Sequence, residues 1–233
     1  METFEIGSHI CHVMQHGQGG THIYWGMFSA YGFRPDALDD ELQQLIPAEP
    51  YTLIAFEANN WDHDFSPWPA GNITGEDDFT GEGPQMLAWL EDECIPTVEG
   101  KFGAPDARMI VGYSMAGMFS LWAFLSSAAF QGVASCSGSL WYPEFMDFAR
   151  KASAPEQSVA YLSLGDAEER SKNAVLATVG DCTREEDQLL EADPNVAAHT
   201  LVWNKGGHFS KQGKRTADGV VWVVRELARP KQE

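Results

Sequence analysis

Positive charge is scarce in this 233-residue sequence: 15 Lys and Arg stand against 34 Asp and Glu, a net charge of −19 at pH 7. A polyphosphate backbone is held by clustered cations, so a field of this sign argues against nucleic acid as a partner and against adhesion to anionic membranes. Cysteine is scarce as well. Cys11, Cys94, Cys136 and Cys182 are widely spaced, with no CxxC pair. They imply no disulfide framework, read as reduced thiols, and favour the cytoplasm as the compartment. Met1-Glu2-Thr3-Phe4-Glu5 lacks the basic start and apolar stretch of a secretory signal. The longest apolar-rich run, Met115 to Phe130, is broken by Ser, Gly and Gln and falls short of the about 18 uninterrupted residues of a spanning helix. The glycine-rich stretches have neither GxGxxG nor P-loop spacing, so no cofactor is expected.

What the chain does have is a globular composition, 44% hydrophobic and 12% aromatic, enough for one continuous core and a single domain over residues 1–233. Short β-branched or aromatic runs alternate with segments of helical period, the pattern of an α/β fold with a mostly parallel sheet covered on both faces. Strands are expected at His9–Gln15, His22–Phe28, Tyr51–Ala58, Arg108–Tyr113, Gly132–Ser135, Ser158–Leu164 and His199–Asn204. Helices are expected at Asp36–Leu45, Pro84–Glu99, Met115–Ala128, Glu144–Lys151, Arg184–Ala192 and Thr216–Ala228. The first two strands flank Gly17-Gln18-Gly19-Gly20, which reads as the turn of an antiparallel hairpin. Asn59 to Gly83 is a long stretch rich in Gly, Pro, Trp and Asp that reads as neither helix nor strand; irregular segments of this length usually carry function, and it is expected beside the site.

Arg108-Met109-Ile110-Val111 is a buried-strand run that leads through Gly112-Tyr113-Ser114-Met115-Ala116-Gly117 into an apolar helix. A nucleophile elbow sets a serine on such a turn, with small residues two before and two after it so that strand and helix backbones can approach. Gly112 and Ala116 hold those places, Ala where the usual pattern has Gly. The helix start then directs free N–H groups at a reacting carbonyl, Met115 N–H among them. With Ser114 as nucleophile, α/β-hydrolase folds place acid and base after later strands in the order Ser, acid, His. Ser158–Leu164 ends in Gly165-Asp166-Ala167-Glu168-Glu169, and His199–Asn204 ends in Lys205-Gly206-Gly207-His208. His208 follows a strand end in a glycine-rich loop, whereas His199 lies at the strand start, so His208 is the general base and acid. For the orienting carboxylate, the residues leave Asp166 and Glu168 at parity.

With these residues in place the chain resembles the putative esterase family of α/β hydrolases, which includes enterochelin esterase-like proteins, esterase D-like enzymes and mycolyltransferases. The resemblance rests on Gly112-Tyr113-Ser114-Met115-Ala116-Gly117, on Ser137-Gly138-Ser139-Leu140-Trp141, on Gly206-Gly207-His208-Phe209 and on the tryptophan-rich Trp61-Asp62-His63-Asp64-Phe65-Ser66-Pro67-Trp68-Pro69. It implies an α/β-hydrolase fold and a carboxylic ester hydrolase acting through an acyl-enzyme. It favours Glu168 as the acid, three residues after Gly165. The second oxyanion donor it implies follows a strand-ending glycine, here Gly26, which points to Met27.

Trp61, Trp68, Trp141 and Tyr142 are candidates for an apolar pocket around a small-molecule ester, or else for packing beneath the loop. No metal is expected: His9 and Cys11 share one strand face while His12 points to the other, and Asp62-His63-Asp64 reads as solvated charge and turn caps. Two other readings accompany hydrolysis, namely acyl transfer by the same three residues and a non-catalytic binding or scaffold protein on the same fold. Oligomeric state has no signature in the sequence.

Overall fold

Runs of β-branched and aromatic residues line up as an eight-stranded sheet in the computed structural model of the chain, which describes residues 1–71, 73 and 78–229. The strands are β1 (Glu2–Ile6), β2 (His9–His16), β3 (Thr21–Met27), β4 (Tyr51–Glu57), β5 (Ala107–Tyr113), β6 (Gly132–Cys136), β7 (Ser158–Gly165) and β8 (Val196–Asn204). Their spatial order is β1-β2-β4-β3-β5-β6-β7-β8. The first two pairings, β1 with β2 and β2 with β4, are antiparallel, and all the others are parallel. Parallel strands covered on both faces are apolar throughout, and every residue of β3, β6 and β7 is buried.

One face carries α3 (Gly83–Trp89), α4 (Ile95–Phe102) and α5 (Met115–Ser126), with Phe56, Phe65, Leu90, Phe119 and Phe124 at its core. The other carries α1 (Pro35–Leu45) and α8 (Gln212–Leu227), whose Leu38, Leu42, Val220 and Val224 pack on Tyr51, Met109, Val111 and Tyr161. Helices α2 (Trp61–Asp64), α6 (Phe145–Ala149) and α7 (Val179–Ala192) complete the set. Among the described residues no helix is long and apolar enough to cross a membrane.

Three expectations need correction. The strands on either side of Gly17–Gly20 do not form a hairpin: β4 lies between them, with Phe56 opposite Cys11 of β2 and Leu53 opposite Ile23 of β3. The turn is held to the start of β5 instead, Gly20 N–H donating to Asp106 Oδ2 at 2.9 Å. The true hairpin is β1 with β2, and β1 is an edge strand whose charged residues gave no buried-strand pattern. Second, the helix expected at Pro84–Glu99 is interrupted by a π turn, Leu90–Cys94, between α3 and α4. Pro96 has no N–H to offer the carbonyl one turn back, and the wider turn absorbs that missing bond. Third, the 59–83 segment is partly ordered secondary structure. Asn60 Oδ1 caps α2 by accepting from the N–H groups of Asp62 and His63, and Ala70 pairs with Phe79.

Candidate active site

Between β5 and α5, Ser114 has φ 59° and ψ −123°, a conformation that costs a non-glycine residue about 1–3 kcal/mol. Two backbone bonds hold it there: its N–H donates to Cys136 O at 3.0 Å, and its carbonyl accepts from Ser139 N–H at 3.1 Å. A Cβ on Gly112 would stand 2.1 Å from Ala116 O, so strand and helix close on one another only because that residue has no side chain. Ala116, by contrast, fits fully buried. The Ser114 hydroxyl therefore sits at the N-terminus of a 12-residue helix, whose first N–H, that of Met115, has no intrahelical acceptor.

His208 follows β8, and its imidazole lies between the serine and an acid. Nε2 is 3.0 Å from Ser114 Oγ, and Nδ1 is 2.6 Å from Glu168 Oε2. Glu168 therefore faces the ring. Asp166 does not; its Oδ1 accepts from Gly206 N–H at 2.9 Å and ties the acid loop to the histidine loop.

The second oxygen of Glu168 is fully occupied. Oε1 accepts from Gly165 N–H (2.6 Å), Ser137 Oγ (2.7 Å) and Arg215 Nη2 (3.1 Å). Burial pushes this carboxyl up, but the bonds from His208, Ser137 and Gly165 outweigh burial and hold it below its ordinary value. Arg215 reaches in from α8 with its side chain 3% exposed, beside a Glu168 side chain 4% exposed. It also donates to Ser137 Oγ and, at 2.7 Å, to the Tyr113 hydroxyl, which in turn donates to the His208 carbonyl at 2.6 Å. Burial pushes Tyr113 up to about 12, so it keeps the proton it donates. One buried guanidinium thus links the residue before the serine, the acid and the backbone of the histidine. No motif in the sequence marks Arg215, although the helical period sets it one turn before the core-facing Gly219.

A cavity of about 570 Å³ opens over Ser114, walled by Tyr31, Phe33, Trp61, Phe79, Trp141 and Phe209. Of the four aromatic candidates, Trp61 and Trp141 line it. Trp68 and Tyr142 pack behind the wall: Trp68 Nε1–H donates to Pro143 O at 2.9 Å, the Tyr142 hydroxyl donates to Trp68 O at 2.5 Å, and the Tyr142 ring meets Phe79 edge-on. They take the packing role weighed for them. Met27 is the last residue of β3, and its carbonyl accepts from Ala58 N–H at 2.9 Å. In extended chain the N–H and C=O of one residue point to the same side, so the Met27 N–H faces β4, away from the β5 serine. This overturns the expectation for Met27. Phe28, extended at φ −142°, turns its N–H the other way. The N-terminal His and Cys side chains are dispersed, with His12 on Glu57, His16 on Asp39 and Cys11 against Cys94. Among the described residues no group of three or more potential metal ligands comes together.

Comparison with known proteins adds independent information. A family model described as "Putative esterase" matches residues 14–216. An uncharacterized protein, YbbA, from Bacillus subtilis is 28% identical over 155 residues, covering 64% of this chain and 61% of that protein, so the match spans less than two thirds of the relative. Among solved structures, the siderophore hydrolase EstA of Aspergillus nidulans superposes with a TM-score of 0.79 at 17% identity, covering 94% of this chain and 90% of its own. An IroE-like serine hydrolase from Shewanella oneidensis gives 0.78 at 16% identity, covering 95% and 77%. At these identities the superpositions establish a shared fold.

Proposed function

We propose, from the premise that the chain belongs to the putative esterase family, that it is a carboxylic ester hydrolase working through Ser114, His208 and Glu168. The observation that carries this reading is the unbroken chain of bonds from Ser114 Oγ through both ring nitrogens of His208 to Glu168. In the first half-reaction Ser114 Oγ attacks the ester carbonyl carbon while His208 Nε2 accepts its proton. The oxyanion that forms is received by the N–H of Met115 at the helix start and the N–H of Phe28, the residue after β3. Each such donor is worth about 100- to 1000-fold in rate. The tetrahedral adduct collapses, the C–O bond to the alcohol breaks, and His208 returns the proton to the departing oxygen. In the second half, water attacks the acyl-serine with His208 again as base, releasing the carboxylic acid and restoring the hydroxyl.

Glu168 keeps Nδ1 protonated, so that Nε2 is the basic nitrogen, and stabilises the imidazolium formed in each half. Its environment suits that task, because an acid held below its ordinary value is ionised wherever the imidazole must act. The four cysteines are free thiols, three of them buried, which supports a reducing compartment such as the cytoplasm.

The test is turnover of p-nitrophenyl acetate and butyrate by the wild type and by Ser114→Ala. The expected result is loss of all but residual activity in the variant. Equal rates in the two would overturn the reading.

A further inference from the structure

The charge on the cavity wall is one-sided. Aromatic and aliphatic side chains share it with four serines, Gln212, the catalytic candidate His208 and two carboxylates, Asp62 and Glu168, and among the described residues no Lys or Arg lines it. The segment 59–83, which contributes Trp61, Asp62 and Phe79 to the wall, holds four acidic residues among its described positions, Asp62, Asp64, Asp78 and Glu82, and no Lys or Arg. Arg215, behind Glu168, pairs with that carboxylate at 3.1 Å, so these two charges offset one another and the sign of the wall is set by Asp62. Lys172 and Lys211 adjoin the lining residues Ser171 and Gln212 in sequence, but both are exposed to water.

An anion entering such a cavity gives up its hydration without gaining a counter-charge, and it meets the negative faces of the rings. A cation meets the reverse: ring faces attract it, and the Asp62 carboxylate on the wall adds its charge to that attraction. The net charge of −19 biases the approach in the same direction.

We propose that this cavity is a charge filter, accepting esters that are neutral or cationic beyond the scissile carbonyl and rejecting anionic ones, with Asp62 setting the sign. The inference rests on the hydrolase reading above and deepens it by naming the substrate class.

The experiment compares three p-nitrophenyl esters of similar reach: that of trimethylammoniobutyric acid, its neutral tert-butyl carbon isostere, and the monoanionic ester of glutaric acid. Each kcat/KM is divided by the rate of the same ester with hydroxide, which removes intrinsic reactivity. The cationic ester is expected to equal or exceed the neutral one, and the anionic ester to fall on the order of 10- to 100-fold below it. Asp62→Asn keeps the side-chain shape and should shrink the cation-to-anion ratio by about tenfold, with the neutral ester as internal reference.

Ser114-dependent turnover of the anionic ester at the neutral rate would overturn the charge filter and leave the hydrolase reading standing. An unchanged ratio in Asp62→Asn would overturn the role given to Asp62. No turnover of any of the three would overturn the hydrolase reading, and the filter with it.

Discussion

Two glutamates with buried side chains follow β7, and they are held in opposite states. The Glu168 side chain is 4% exposed, and both its oxygens accept hydrogen bonds, from His208 on one side and from Gly165, Ser137 and Arg215 on the other. Glu186, on α7, is 1% exposed, and its Oε2 has no hydrogen-bond partner. Burial raises both carboxyls. In Glu168 the bonds more than offset it; in Glu186 burial and the charge of neighbouring Glu185 push the group up to about 8. Donors, not depth, decide whether a buried carboxylate is charged at neutral pH, and only the charged one can orient an imidazolium.

Replacing the acid tests this contrast most severely. Glu168→Gln should lower kcat by about 10⁴-fold, the effect of losing a triad carboxylate. It should also cost about 3–5 kcal/mol in urea unfolding, because Arg215 is left buried without its counter-charge. Retention of activity within tenfold would show that charge at this position is idle. Arg215→Met comes next: a drop on the order of 10- to 100-fold in kcat, with loss of stability, is expected as Glu168 and the His208 loop lose their shared anchor. An unchanged kcat and pH profile would reduce Arg215 to packing.

Glu186→Met should act in the opposite sense and raise stability, by an amount that depends on pH. A carboxyl whose folded value is raised contributes its full stability below the unfolded value of about 4.5 and loses it as pH climbs toward 8. Relief in the variant is therefore absent near pH 4 and reaches about 2–4 kcal/mol at pH 8, read by denaturant unfolding at both. Glu168 follows the mirrored rule: its contribution is present above its unfolded value and lost as acid carries the pH down through its lowered folded one. A Glu186→Met gain that does not vary with pH would break the comparison. The smallest effect is expected at Asp166→Asn, which weakens one exposed backbone bond, costs about 1 kcal/mol and changes kcat/KM by no more than about fivefold.

The elbow and the order of serine and histidine were legible because their signals are local: a small residue, a strand before and a helix after. Glu168 was not separable from Asp166 by its residue pattern, since both lie on one loop and only the direction of each side chain distinguishes them. Arg215 was invisible for a different reason. Its partners lie 47, 78 and 102 residues away in the chain, and no short pattern encodes such contacts. The same limit explains the misread hairpin, where β4 enters from a distant segment to separate β2 from β3. The expectation of a second oxyanion donor at Met27 failed for want of knowing that Met27 pairs with β4, which turns its N–H away from Ser114.

Activation of a single hydroxyl, that of Ser114, by His208 can be read by intact-protein mass spectrometry after treatment with a fluorophosphonate. The expected result is one adduct per chain, mapped to Ser114, lost in Ser114→Ala and formed far more slowly in His208→Ala. An adduct at another residue, or ester turnover undiminished in the Ser114→Ala protein, would contradict it.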